Sequence, residues 1–501
     1  MTESTASPAT PAPREIAHVL IPVLRWTPED GFASARPLIE EALALGVGGF
    51  LLTGGEQDAV RTLAKELQRR SRMPLLIAAD FERGAGQQVR GATGLPPLAA
   101  IAALNDLESL RRAARLTARE ARTMGVNWNL APVGDLDLSD DNPIIGTRAL
   151  GRDARAVAPV VAAWVEACQA EGVLGCAKHF PGLGRALTDP HVARVDIGAT
   201  ADLLKESDLL PFRAAIGAGV ASIMTAHATY AALDPSGVPA TVSREILQWL
   251  LRQQLKFDQL IVADAVTMAG VGEGRAPAET TVLALRAGCD LVLDPGALDA
   301  ACTAIETALA EGTLDKDRLR LSARRRLKWA QWASPPNDWR RPSGADAAWG
   351  GLLAERVLLV EHGPVPPAGT VTEIGIVDDD VEVAEPDRVP RTVMVEGMRL
   401  AGHDARVVES PTPASGSPFV IAVFADYLPG KSRTTLLEET RRTVARLIQE
   451  AGARQRSVVL VGFGDPRLIR QLGRAEPTIQ AWSGDRVMQL AAGRMLLKKP
   501  R

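Results

Sequence analysis

Cys176-Ala177-Lys178-His179-Phe180-Pro181-Gly182-Leu183-Gly184 sets the pattern from which the fold is read. A short apolar run ends in two titratable side chains and then breaks into Pro and Gly, which bend the chain or free its backbone. The pattern recurs along the first two thirds of the sequence. Strands are expected at His18–Leu24, Val47–Leu52, Leu75–Ala79, Val126–Leu130, Cys176–His179, Ala221–Thr225, Leu260–Ala263 and Asp290–Leu293. Amphipathic stretches between them, Ser34–Leu45, Asp58–Arg69, Leu107–Met124, Ala156–Glu171 and Glu245–Gln254, read as helices. The first two open on residue types that favour helix N-termini. Eight strands alternating with helices over about 300 residues predict an α/β fold, a (β/α)8 TIM-type barrel rather than an open sheet. Several runs are apolar throughout, as strands buried on both faces require.

The polar residues fall where such a barrel carries its chemistry. Asp80 and Glu82 follow the third strand, and Asn129 to Asp137 end and follow the fourth. Lys178 and His179 end the fifth, His227 follows the sixth and Asp264 the seventh. All lie at carboxyl ends of strands, the functional face of a barrel.

Residues 15–332 therefore read as a catalytic barrel domain and residues 333–350, rich in Pro, Gly and Asp, as a linker. Beyond it, Arg356–Val360, Glu373–Val377, Phe419–Phe424 and Ser457–Phe463 read as parallel strands, with helices such as Thr434–Glu450 between them. Residues 351–501 are thus expected to form a smaller α/β sandwich domain. The Ser/Thr/Pro/Ala-rich residues 1–14 read as a disordered tail, neither a secretory signal nor an anchor. No apolar run approaches the roughly 20 residues of a membrane span. A formal net charge of −3 argues against nucleic acid or an anionic membrane as partner. Cys168, Cys176, Cys289 and Cys302 are scattered and read as buried apolar residues of a reducing compartment. Neither they nor the histidines show metal-ligand spacing, so no metal and no cofactor is expected, and the location expected is cytoplasmic.

The stretch from Lys178 to His191 is long enough to carry a resemblance. Lys178-His179-Phe180-Pro181-Gly182-Leu183-Gly184, four residues, then Asp189-Pro190-His191, resembles the signature of the β-N-acetylglucosaminidase branch of glycoside hydrolase family 3. Three further segments agree with that family: Asn142–Arg148, Met224–His227 with Pro239–Ser243, and Asp264–Met268. The resemblance covers the expected barrel well and the rest more loosely. It implies a retaining exo-β-N-acetylglucosaminidase acting on a small-molecule glycoside, with cell-wall muropeptides as source. Asp264 would be the nucleophile. Asp189 and His191 would form an acid/base dyad on a mobile loop, in place of the usual second carboxylate. Histidine titrates near neutral pH, so it can give a proton and take it back, while the aspartate fixes its tautomer. Asp80, Arg148, Lys178 and His179 would hold sugar hydroxyls, since a buried site must replace their bonds to water. Asp80 and Arg148 also have a plainer reading as a pair within the barrel mouth, and His227 as a packing residue.

Pro190 stands where the family carries Ser or Thr, Arg185 where many relatives carry Asp, and Asp80–Arg90 is longer than the family pattern. These departures bear on loop closure and on aglycone preference. Two other readings compete: a β-glucosidase or β-xylosidase of the same family, whose acid/base is a carboxylate elsewhere, and a catalytically silent sugar-binding protein.

Overall fold

The computed structural model describes residues 13–272, 274–333, 343–366, 371–381, 389–413, 417–426, 430–431 and 433–497. Residues 1–12 of the expected tail lie outside these, and a short helix, Pro13–Ala17, opens the described chain.

Each expected strand position in the first two thirds carries a strand. They are β1 (Leu20–Ile21), β2 (Val23–Arg25), β3 (Gly49–Thr53), β4 (Leu76–Ala79), β5 (Trp128–Asn129), β6 (Cys176–Phe180), β7 (Ser222–Thr225), β8 (Leu260–Ala263) and β9 (Leu291–Leu293). The first expected strand is divided in two at Pro22, which has no N–H to give a ladder. All pairings are parallel, in two sheets ordered β1-β9-β8-β7-β6 and β2-β3-β4-β5. Between β5 and β6 run parallel bridges at Trp128–Leu174 and Val133–Lys178, and Cys176 N–H donates to Ala131 O at 2.8 Å. This is the arrangement of a TIM-like unit.

Side chains alternate along these strands, as the pleat demands. Ile21, Leu51, Leu76, Trp128, Cys176, Met224, Leu260 and Leu291 form one core, against which Val23 of β2 also packs. Trp128 Nε1–H crosses it to Ser222 Oγ at 2.9 Å. Their neighbours Phe50, Ile77, Ile223, Ile261 and Val292 face the helices in a larger core. The helix Leu107–Thr123 shows why these segments wind: Asp106 caps it by accepting from Ser109 N–H, and Leu110, Ala113, Ala114, Thr117 and Ala121 bury one face. The expected N-terminal Ser34 lies ahead of its helix, Arg36–Leu45, because Pro37 fixes the first turn.

The stretch expected as a linker is largely a helix within the described residues. Ser343 forms a capping box with Asp346 and starts the helix Gly344–Arg356. Arg356 thereby ends a helix, and the strand expected there is β10 (Leu359–Glu361). The remaining strands are β11 (Val371–Asp378), β12 (Asp404–Val407), β13 (Phe419–Ala425), β14 (Val458–Gly464) and β15 (Thr478–Gln480), ordered β10-β15-β14-β13-β11-β12. All pair in parallel except β10, which is antiparallel to β15, contrary to the expectation of a parallel strand. The expected helix Thr434–Glu450 starts at Glu438, where two glutamates fall on the positive end of its dipole, and runs to Ala453. Both faces of the sheet are covered: Val420 and Phe424 point into one core, Phe419, Ile421 and Val423 into the other.

The chain order reverses between β11 and β13, so their carboxyl ends flank a switch point of the kind that hosts sites in α/β sheets. The carboxyl edge of this sheet turns towards the first unit: Asp485, past β15, pairs with Arg83, just past β4, at 2.7 Å, and Arg467, past β14, pairs with Asp137 at 3.1 Å. Among the described residues no helix is long and apolar enough to cross a membrane.

Candidate active site

Asp80, at the end of β4, and Lys178, on β6, meet at 2.6 Å. The same ammonium reaches Glu82 at 2.9 Å, and Glu82 takes two bonds from Arg148, from Nε at 3.0 Å and Nη2 at 2.8 Å. Arg148 sits in a single 3-10 turn, Gly146–Arg148, and also donates to Ile144 O. Arg148 therefore pairs with Glu82, not with Asp80. Burial disfavours the Glu82 charge, but the two cations beside it hold its carboxyl well below the usual range. Burial would lower the Lys178 ammonium, yet Asp80 and Glu82 reverse that and raise it. Asp80 keeps 35% of its side chain exposed against 3% for Lys178, so Asp80 is the member open to a ligand.

His179 points to a different carboxylate. Its Nδ1 lies 2.7 Å from Asp135 Oδ2, and the same oxygen accepts its backbone N–H at 3.1 Å. Asp135 Oδ1 accepts Leu183 N–H at 2.7 Å, Asn142 Nδ2 donates to Leu183 O, and Tyr230 O–H donates to Gly182 O. Gly184 lies against the backbone: a Cβ there would stand 2.0 Å from Leu136 O. The glycines of this loop are therefore used for close approach, and its first half is held firmly rather than left mobile.

Its second half carries the expected dyad. Asp189 is fully buried, and its Oδ1 lies 2.6 Å from His191 Nδ1 and accepts His191 N–H at 2.8 Å. That side-chain turn encloses Pro190, whose fixed φ suits it and whose missing N–H is not used. Asp189 Oδ2 accepts the N–H of Gly430, 241 residues further on, at 2.7 Å. Burial opposes the Asp189 charge, and the bonds from His191 and Gly430 prevail and lower its pKa. Arg185 stays with the loop, paired at 3.1 Å with buried Asp208 at the end of the π-turn Leu204–Asp208.

Asp264 follows β8 directly, and the adjacent Ala265 N–H donates to its Oδ1 at 2.8 Å. Burial would raise its pKa, but the fields of His227 and His179, that N–H and Lys178 together lower it. His227 is buried, and burial lowers its own pKa. Its Nε2 lies 3.0 Å from Ala265 O, so the neutral ring must donate there and accept at Nδ1 from Thr241 O–H, 2.7 Å away. His227 thus orients the peptide that carries Asp264. The dyad loop docks on the same segment, since Gly270 N–H donates to Pro190 O at 2.9 Å.

The fold thus joins Lys178, Asp80 and Arg148 through Glu82, and sets Asp189–His191 against the turn that follows Asp264. Glu82, Asp135, Thr241, Asp208 and Gly430 supply the supporting bonds and were not singled out as site residues from the sequence. Glu82 and Asp135 had a signal, carboxylates just past strand ends, whereas Gly430 had none. Among the described residues no three His, Cys, Asp or Glu side chains converge as metal ligands would.

Three comparisons place this geometry among known proteins. Residues 36–328 match the family described as Glycosyl hydrolase family 3 N terminal domain. Over 285 residues the chain is 37% identical to a "Beta-N-acetylglucosaminidase/beta-glucosidase" from Cellulomonas fimi, covering 55% of this chain and half of that relative's length. Over 266 residues it is 36% identical to a "Beta-hexosaminidase" from Thiobacillus denitrificans, covering 52% of this chain and 73% of that one. The solved structure of a glycoside hydrolase family 3 β-N-acetylglucosaminidase from Paenibacillus sp. str. FPU-7 aligns over 98% of this chain and 97% of that one, with a TM-score of 0.82 at 24% identity, a likeness of fold.

Proposed function

The chain belongs to glycosyl hydrolase family 3, and from that premise we propose that it is a retaining exo-β-N-acetylglucosaminidase. Asp80, Arg148, Lys178 and His179 hold the hydroxyls of the terminal sugar. Asp264 attacks the anomeric carbon while His191 gives its proton to the glycosidic oxygen, so the alcohol leaves and a glycosyl–Asp264 ester forms. His191 then takes a proton from water as that water attacks the same carbon, and the sugar departs with its configuration retained. Asp189 holds the imidazole through Nδ1, which leaves Nε2 to move the proton.

One observation carries this reading: the Asp189–His191 pair at 2.6 Å lies on a loop hydrogen-bonded to the turn that follows Asp264. That contact supports the assignment of a proton donor and a nucleophile to one site. The test uses aryl β-N-acetylglucosaminide and aryl β-glucoside with wild type, Asp264→Ala and His191→Ala. Asp264→Ala should abolish turnover of both, and equal rates in that variant and wild type would end the enzyme reading. NMR of the first sugar released should show the β-anomer. β-Glucosidase activity is the second reading, favoured by the double name of the Cellulomonas fimi relative; a glucoside preference would support it against the first. A histidine donor also repels an incoming anion less than a carboxylate would, so phosphate can replace water as acceptor. Formation of the sugar 1-phosphate in phosphate buffer tests that.

The proposal extends to the architecture. Residues 15–332 would form one closed eight-stranded barrel, supported by the core shared among the strands and by the bridges between β5 and β6. Residues 351–501 would form an α/β sandwich whose carboxyl edge completes the site. Muropeptides as substrate source rest on the resemblance of the Lys178–His191 stretch, and a cytoplasmic location on the scattered cysteines, read as those of a reducing compartment.

A further inference from the structure

The acid/base aspartate is held from both sides. Asp189 Oδ1 serves His191, and Asp189 Oδ2 takes the Gly430 N–H at 2.7 Å. Gly430 has φ +84°, a conformation that disfavours any side chain, and the residue that follows it is firmly held. That residue is Lys431, whose side chain is 1% exposed. Its ammonium has three donors and three acceptors: Asp380 Oδ1 at 2.6 Å, Asp426 O at 2.9 Å and Asp379 Oδ2 at 3.3 Å. Asp379 and Asp380 are fully buried just past β11, and Asp380 also takes Arg391 at 2.7 Å and the Asp426 N–H at 3.1 Å. Charge-assisted bonds thus anchor Lys431 at one end and join its covalent neighbour Gly430 to Asp189 at the other.

We infer that Lys431 is a positioning residue for the acid/base dyad: clamped by Asp379 and Asp380, it holds the Gly430 N–H against Asp189. The inference rests on the dyad reading above. A carboxylate with both oxygens engaged cannot rotate, so it presents one oxygen to His191 Nδ1. Without the Gly430 bond the carboxylate turns, and His191 loses its orientation. Asp264 and the sugar-holding groups draw on none of these contacts. The loss should therefore fall on proton transfer alone.

Leaving groups of different basicity read that step. A 2,4-dinitrophenyl N-acetylglucosaminide needs almost no protonation on departure, whereas a 4-methylphenyl one needs it fully. General acid catalysis contributes typically 10²–10⁴-fold, so a displaced donor should cost about 10-fold or more. Lys431→Met should lower kcat/KM that much for the 4-methylphenyl substrate and change the dinitrophenyl value by less than about twofold. Gly430→Ala leaves the ion cluster intact and should show the same selectivity, which keeps the test decisive if Lys431→Met fails to fold. Unchanged rates in a folded variant, or equal losses on both substrates, would overturn the inference. His191→Ala is the control that separates the two levels: if its own loss shows no leaving-group selectivity, the dyad reading is what fails.

Discussion

Asp264 is the residue whose surroundings make the sharpest statement. Its carboxyl is buried, yet His227, His179, the Ala265 N–H and Lys178 hold its pKa below the ordinary value. As the proposed nucleophile it must be ionised, and a depressed pKa keeps it so as pH falls. The acid limb of kcat/KM, measured on an activated aryl substrate, should therefore lie below about 4; a limb above about 5 would contradict this electrostatic picture. Glu82 gives the second prediction. It is buried and shared by Arg148 and Lys178, so Glu82→Gln leaves Lys178 with Asp80 and takes from Arg148 its paired carboxylate. Uncompensated buried charge costs about 3–5 kcal/mol, and KM should rise because both cations lose their alignment. Urea unfolding checks the first figure, and a cost under about 1 kcal/mol would show that Glu82 is dispensable. Lys178, His179 and Asp264 were legible in the sequence because each is a titratable residue closing an apolar run. Their partners were not, because a bond such as His179–Asp135 joins residues 44 apart that only the strand order brings together.

At the scale of elements, periodicity located strands well and their ends poorly. The runs in the first unit stood out because strands buried on both faces are apolar throughout. β12 and β15 did not, being three or four residues long, and β12 is largely exposed. The helix at Gly344 was hidden by the Pro, Gly and Asp around it, although Ser343 and Asp346 stood at capping-box spacing. One contact between elements bears directly on rate. Gly270, in the short helix Ala269–Gly272 that follows Asp264, lies so close to the dyad loop that a Cβ would stand 2.7 Å from Pro190 O and 3.1 Å from Ala193 O. Both obstacles are backbone, so Gly270→Ala must push the His191 loop away from the segment carrying Asp264. A displacement near 1 Å in a reacting constellation costs about 10²-fold. The variant should stay folded and lose about that much kcat, with KM little changed. Full activity would show that the loop does not need this contact.

For the whole molecule, the sequence reads as two α/β units, with no sign that the sheets present their carboxyl edges to each other. Nothing in local pattern announces such a contact, since Arg83 and Asp485 are 402 positions apart and each alone reads as a solvated charge. The seam has a titratable centre in Asp426, which accepts Gly484 N–H and lies near Asp380, Asp485, Arg391 and Arg83. Burial, then the neighbouring carboxylates Asp380 and Asp485, push its pKa up to about 7 against the arginines. The folded state therefore holds a proton that the unfolded chain gives up near pH 4. Stability from this group is full below about pH 4, declines as pH rises, and levels off above about 7. A rise of that size corresponds to about 4 kcal/mol at most, and partial exposure at the seam reduces what is measured. Asp426→Asn cannot ionise and keeps an oxygen for Gly484, so its urea midpoint should fall less between pH 5 and pH 8 than that of the wild type. The two curves should converge on the acid side and separate on the alkaline side. Parallel curves would mean that Asp426 is already ionised at pH 5 and that the arginines, not burial, govern the seam.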